Sequence, residues 1–213
     1  MIKKEMNNFI QVVNETIKNC ERLCFIDKEK KLQEEAIFIL ENLREKNGER
    51  KNEVVNLNNE EVAKHLLCTE KQLECLINEL KMWVALKNDK PNDAWDFFVN
   101  AQDSADIVNK IINIDGYIEK LNCLEKILFP PQNFVSTTST VRDARCSICH
   151  HIYDECGHEA GEIYMGEICH TVVKEIKKHK EISLTEEPAC KKNRITAITE
   201  NGVRRDFMTW KII

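Results

Sequence analysis

Long apolar runs are missing from this chain of 213 residues. Its apolar stretches, such as IFIL at 37–40 and MWVAL at 82–86, fall far short of the roughly 18 residues that a membrane-spanning helix needs. The opening residues, MIKKEMNNFIQVVNE, are basic, but Glu5 and Asn7 interrupt their apolar stretch. A secretory signal's apolar centre and small-residue cleavage site are both missing. The expectation is a cytoplasmic protein without membrane contact, whose cysteines stay largely reduced.

A dominant positive charge is missing too. The formal net charge is −5, with 12 basic and 12 acidic residues in 142–213 and 19 against 24 before them. Neither part has the strongly basic body of a nonspecific nucleic-acid binder. No glycine-rich phosphate loop, nucleophile elbow or pair of metal-binding acids occurs. A zinc-supported nuclease of the His-Asn-His kind needs an acid and histidine pattern after its knuckle, and His170 and His179 do not supply one. No internal repeat at a solenoid period is present.

What is present first is helical periodicity. At 42% hydrophobic residues the chain can bury a core. Phe9, Val13, Ile17, Cys20 and Cys24 recur at helical spacing, as do Leu32, Ala36, Leu40 and Leu43. The polar run REKNGERKNE, at 44–53, reads as a loop. Asn59 ahead of Glu60 and Glu61 reads as a helix start, and Thr69 with Gln72 as a second capping signal. Residues 58–89 are therefore expected to form a short helix, a tight turn and a longer helix, with Leu73, Leu76, Leu80 and Trp83 inward. This resembles a helix-turn-helix with Ala63 at the crossing. Its second helix carries Glu70, Glu74 and Glu79, which repel phosphate, so a plain helical hairpin is the favoured reading. Trp95, Phe98, Ala101, Ala105 and Val108 mark a further helix. Tyr117, Leu121, Leu124 and Leu128 mark a last one, stopped by Pro130 and Pro131.

The fold class expected is mainly α: a helical domain over 1–128, a Ser/Thr-rich linker over 129–141, and a small α+β zinc-binding module over 142–213. In the module TVVKEIKKHK, from 171, reads as a short helix, EISLT and RITAIT as strands, and Asn201-Gly202 as a hairpin turn before a returning strand VRRDFMTWKII.

The second thing present is a cluster. Residues 146–170 hold four of the ten cysteines and four of the six histidines. Cys146 and Cys149 form a C-x2-C knuckle, which lets two thiolates on one turn reach the same zinc at about 2.3 Å. Tetrahedral closure needs two more donors. Cys156 and His158 are the nearest and close a compact site at little cost in chain entropy. Cys169 is the second choice, with His170 beside it. His150 and His151 read as surface residues. The metal ligands expected are Cys146, Cys149, Cys156 and His158, binding a structural Zn2+ with no open position for water. Cys20 with Cys24, and Cys68 with Cys75, lie on apolar stripes and read as small hydrophobes rather than as a second metal site.

FPPQNFVS at 129–136, CSIC, YDECGHEAGEIYMGEIC and EISLTEEPAC together resemble a pattern in uncharacterised bacterial proteins, some phage-associated. There a C-x2-C and a C-x-H precede a G-x-x-Y-x-G run. The resemblance covers roughly residues 92–198 and departs at His150, where glycine is more usual. It implies Cys146, Cys149, Cys156 and His158 as metal ligands and is silent on activity. The role that follows is non-enzymatic: a zinc-stabilised interaction or adaptor protein with a protein partner. A nucleic-acid-binding accessory using KEIKKHK, KKNR and VRR is the runner-up, and a cryptic metal-dependent nuclease or hydrolase the third reading.

Overall fold

The computed structural model describes residues 2–213, with the side chains of residues 2–5 and 7 outside the description. Five helices come first: α1 Ile2–Glu21, α2 Lys30–Asn56, α3 Glu60–Lys87, α4 Pro91–Asn109 and α5 Asp115–Leu128. Six strands follow: β1 Phe134–Cys146, β2 Ile163–Tyr164, β3 Glu167–Ile168, β4 Thr171–Thr185, β5 Ala197–Glu200 and β6 Val203–Asp206. The class is the expected one, helices followed by a small β region that holds the Cys/His cluster. The chain divides into two compact units: residues up to Arg50 with Cys68–Pro130, and Lys51–Leu67 with Pro131–Ile213.

In the first unit the apolar stripes are buried largely as spaced. Val13, Leu40, Leu73, Leu80, Phe98, Ala101 and Val108 are all fully enclosed. Trp95 meets Phe129 edge-on at 5.2 Å between ring centroids, and Phe98 lies 5.4 Å from the same ring. Leu32 departs from expectation: it is exposed, and its neighbour Gln33 turns inward. Gln33 Nε2 donates to the carbonyls of Leu23 at 2.7 Å and Phe25 at 2.9 Å, and Lys87 Nζ donates to Gln33 Oε1 at 2.6 Å. One amide thus satisfies the turn between α1 and α2. Glu79 also departs. It is buried, accepts a hydrogen bond from Tyr117 Oη at 2.8 Å and pairs with Lys120 Nζ at 2.5 Å. A charge so enclosed persists only with partners of this kind.

Two breaks read from the sequence do not occur. REKNGERKNE is helical, inside α2. One glycine costs a helix about 1 kcal/mol, and the Arg, Glu and Lys around it are good helix formers. Arg50 is held over the Phe9 ring at 4.0 Å. Nor is there a turn at Thr69, because α3 runs unbroken from Glu60 to Lys87. No Gly or Pro interrupts it, and Leu66, Leu67 and Cys68 are buried beside the presumed break. The favoured helical hairpin and the helix-turn-helix are thereby both excluded. The start of α3 is as read, with Val62 N donating to Asn59 Oδ1 at 3.2 Å.

The second unit differs most from expectation. The segment read as a linker and the segment read as a helix are the two strands of one antiparallel ribbon, β1 with β4, from Phe134 opposite Thr185 to Cys146 opposite Thr171. Five of the 13 residues of β1 are Thr or Val, and β-branched side chains suit a pleated strand. Against that partner, the Val172-Val173 and Ile176 of β4 pair as strand residues. Four register shifts interrupt the ladder, and they skip Lys180, Lys177 and Lys174 on β4 and Arg142 on β1. Every skipped residue is basic. Bulges add twist, and lysine on a strand with a free edge discourages pairing with another chain. A second hairpin, β5 with β6, turns at Asn201-Gly202 with φ 50° and 77°, the left-handed pair expected of this dipeptide. The returning strand is shorter than read. It stops at Asp206, where the chain makes a tight turn.

The small β2–β3 hairpin turns at Met165-Gly166 and lies against the start of α3. A Cβ on Gly166, whose φ is +75°, would sit 2.9 Å from the Ala63 carbonyl oxygen. Ala63 is small because the Gly166 backbone crosses there, not because a second helix does. Gly166→Ala is therefore expected to destabilise the second unit by about 1–3 kcal/mol through left-handed strain and backbone overlap. Faster hydrogen exchange in 60–67 and 163–168 would report it, and unchanged protection in both segments would count against this contact.

Candidate metal centre

Cys146 is the last residue of β1, so the ladder delivers its thiol to the start of the knuckle turn. Cys146 N donates to His151 O at 2.9 Å and His150 N donates to Cys146 O at 3.0 Å. His150 takes φ +61°, which explains why glycine suits that place. Ile148 N points at Cys146 Sγ from 3.4 Å. The turn closes on a bridge between Arg145 and Ile152.

A 3₁₀ turn, Tyr153–Glu155, then brings the chain back to Cys156 and His158. Two tyrosines hold this return. Ala160 N donates to Tyr153 Oη at 2.8 Å, and Glu159 N donates to Tyr164 Oη at 3.1 Å. The Tyr164 ring also meets the His158 ring edge-on at 4.6 Å. As a result the donor atoms of Cys146, Cys149, Cys156 and His158 all lie within 4.8 Å of one another, with Cys146 buried and the others half-buried. His158 Nδ1 is buried with no hydrogen-bond partner. This Cys3His group, the four residues singled out in the sequence, can hold a metal ion.

A fifth donor stands beside them. Cys169 is 1% exposed, and its Sγ lies 3.7 Å from Cys146 Sγ. Its backbone is fixed by Cys169 N to Glu162 O at 2.8 Å and Gly161 N to Cys169 O at 2.7 Å. His170 is exposed, with Nδ1 3.2 Å from the Ile168 carbonyl, and belongs to the surface, as do His150 and His151. Neither tyrosine reads from the sequence as a support for the site, although Tyr164 is the tyrosine of the G-x-x-Y-x-G run; the further signal is that Tyr153 and Tyr164 bracket the C-x-H pair.

The knuckle turn occurs twice in the second unit. After β6, Asp206 N donates to Lys211 O at 2.8 Å, Trp210 N donates to Asp206 O at 2.8 Å, and Arg205 bridges to Ile212. Trp210 has φ +61°, the same as His150. RDFMTWKI from 205 thus repeats the backbone of RCSICHHI from 145. Asp206 stands at the place of Cys146 and Thr209 at that of Cys149. Thr209 donates to Asp206 Oδ1 from both its N and its Oγ1, each at 2.7 Å. One turn closes on a hydrogen bond and the other presents thiols.

No protein-family model, curated protein or solved structure matches this chain. Of the resemblance drawn from the sequence, the Cys/His cluster is the part that the structure retains.

The thiols fall into two chemical classes. Burial pushes the pKa of Cys20, Cys24, Cys68 and Cys75 up, which marks them as inert core residues. At Cys146 burial also opposes ionisation, but the N–H groups of Cys149 and Ile148 and the thiols of Cys169 and Cys149 outweigh it, bringing the pKa down to about 6. At Cys156 the His158 backbone contact acts downward, yet burial and the Cys146 sulfur prevail and raise it. Burial and Cys146 likewise raise Cys169. At pH 7 Cys146 is therefore already a thiolate, whereas Cys156 keeps its proton until a cation displaces it. Zinc titrated calorimetrically in buffers of different ionisation enthalpy is expected to release protons at pH 7. Affinity falls with acidity, and more steeply below about pH 6 as Cys146 itself is protonated. Binding independent of pH between about 5 and 8 would show that these thiols are not the ligands.

Proposed function

We propose that this chain is a non-enzymatic interaction protein in which a structural Zn2+ ties the ribbon to its closing loop and the ribbon receives a protein partner. The observation that carries the reading is the convergence of three thiols and an imidazole at one end of a strand pair that has almost no core. Cys146, Cys149 and Cys156 supply thiolates, and one more donor comes from the loop over 157–170. An isolated two-stranded ribbon is marginal in water, and a structural zinc contributes its binding free energy directly to folding. A closed set of four protein ligands leaves no place for a reacting water, so the zinc is structural rather than catalytic.

The partner surface is the ribbon. Ile182 and Leu184 are 75% and 70% exposed on β4, and Ile176 and Val173, nearer the other end of the strand, are about half exposed. Among the described residues β4 pairs with β1 alone, whereas β1 is bridged to Arg194 and Ile152 at its ends, so the outer edge of β4 is the one that suits strand addition by a partner segment.

A second reading draws on a different observation, the four basic residues at the bulges. A two-stranded ribbon fits the major groove of DNA, and Lys174, Lys177, Lys180 and Arg142 would meet phosphates. Arg142 is engaged by Glu175 at 3.1 Å, and the net charge of −5 works against the whole. Protein binding is therefore the preferred role.

Two measurements test these readings. Protein purified without chelator is expected to carry one zinc per chain. Cys146→Ser combined with Cys149→Ser should lose the metal and the exchange protection of 131–213 and 51–67, while α4 and α5 keep theirs. Full zinc content in that variant, or collapse of the helical signal as well, would sink the assignment of zinc to the second unit. Duplex and single-stranded nucleic acids titrated at two salt concentrations are expected to bind weakly. Submicromolar, steeply salt-dependent binding that is lost on replacing Lys174, Lys177 and Lys180 would promote the second reading instead.

A further inference from the structure

We infer that Cys169 is a zinc ligand, so that the metal is held by four thiolates, Cys146, Cys149, Cys156 and Cys169, with His158 hydrogen-bonded to them from outside. The inference rests on the zinc reading above and decides the fourth donor.

The first support is distance. Two sulfurs bound to one tetrahedral zinc at 2.3 Å stand about 3.8 Å apart. Cys146 Sγ and Cys169 Sγ stand 3.7 Å apart, the separation of two sulfurs on one zinc, although the four donors that all lie within 4.8 Å of one another are Cys146, Cys149, Cys156 and His158. Cys146 and Cys169 are also the two most deeply buried thiols of the cluster, at 0% and 1% exposure.

The second support is the repeated turn. Ser147 N donates to His170 O at 3.0 Å, and Phe207 N donates to Thr196 O at 2.9 Å. Thr171 lies opposite Cys146 in its ladder, and Ala197 lies opposite Asp206 in the other. Counting two residues back along each partner strand places Cys169 and Ile195 in equivalent positions. The turn without thiols has Asp206, Thr209 and Ile195 where the other has Cys146, Cys149 and Cys169. All three thiols are absent together, which groups Cys169 with the knuckle cysteines as one ligand set.

His158 then has a different task. Four thiolates on Zn2+ make a doubly negative centre, and such centres are stabilised by N–H donors. The His158 ring is held by Tyr164, with a buried Nδ1 that has no partner within the protein. Once zinc is bound, an N–H there turned toward a thiolate sulfur would satisfy both.

X-ray absorption on the zinc-loaded protein is expected to count four sulfurs near 2.3 Å and no nitrogen at about 2.0–2.1 Å. His158→Ala should keep one zinc and all four sulfurs, with affinity lowered by about 10–100-fold as for loss of an outer hydrogen bond. Cys169→Ser should drop the sulfur count to three and weaken binding further. Three sulfurs and one nitrogen in the unaltered protein would overturn the inference and leave the zinc reading standing. Absence of bound zinc in the unaltered protein would overturn both. The sulfur count on unaltered protein decides the question even where a variant fails to fold.

Discussion

The β1–β4 ribbon is buried only at its two ends. Of its residues, Phe134 and Cys146 alone are enclosed, and none of β4 is. A strand pair without a buried face has cross-ladder hydrogen bonds to order it and little apolar area to offset the entropy of ordering. Its persistence then depends on what is fixed at either end. At Phe134 that is protein: Val135 N donates to Asn193 O at 2.7 Å, and Ile195 N to Asn133 O at 2.8 Å. At Cys146 it is the thiol cluster. The rest of the second unit follows from this constraint, including the two tyrosines that hold the C-x-H loop and the glycine that lets the β2–β3 hairpin meet Ala63.

Cysteine plays two parts in one chain because its surroundings differ. In the first unit, thiols such as Cys75, whose Sγ lies 3.6 Å from the Ala101 carbonyl, are small apolar side chains kept neutral by burial. In the second unit buried apolar side chains are few: besides the cysteines they are Val54, Ala63, Leu66, Leu67 and Phe134 among the described residues. The thiols there face one another, and backbone N–H groups favour the charged form of one of them. Counting cysteines would have merged the two classes. Reading whether each lies on an apolar stripe separates them.

That difference also explains what could be read in advance. The stripes of α1, α4 and α5 and the inner face of α3 are long periodic patterns, and long patterns survive tertiary context. The cluster was legible because C-x2-C and C-x-H are local and chemically specific. The asparagine-glycine turn was legible because two successive left-handed residues have few alternatives. The ribbon was not, because its strands are 24 residues apart in sequence. KEIKKHK has strong helix formers, and only pairing with the Thr-rich β1 makes it extended. REKNGERKNE and the Thr69 region misled in the opposite sense: local polarity suggested breaks that burial of Val54, Leu66 and Leu67 overrides. Buried Glu79 and Gln33 carry no sequence mark, since a charged or amide side chain inside a helix pattern is indistinguishable from an exposed one until its partners are known.

The repeated turn separates what a bound metal would do from what it would not do. The Asp206 turn has the backbone of the Cys146 turn without any thiol, so the shape of the knuckle comes from the strand before it and the left-handed residue that follows. The two turns differ in how their partner strands arrive. β5 reaches β6 through a two-residue turn, whereas β4 returns to β1 only after the 24 residues from 147 to 170. Closing the longer loop costs more chain entropy, by roughly (3/2)RT times the logarithm of the length ratio, or about 2 kcal/mol. That segment has two two-residue strands and a single 3₁₀ turn of its own, too little structure to supply the difference. A cation that binds Cys146 and Cys149 at one end of the loop, Cys156 within it and Cys169 at the other end shortens that closure to a few residues at each step. On this account the thiols are placed where the chain must be brought back, and the second hairpin, whose strands are already adjacent, keeps the same turn with a threonine and an aspartate.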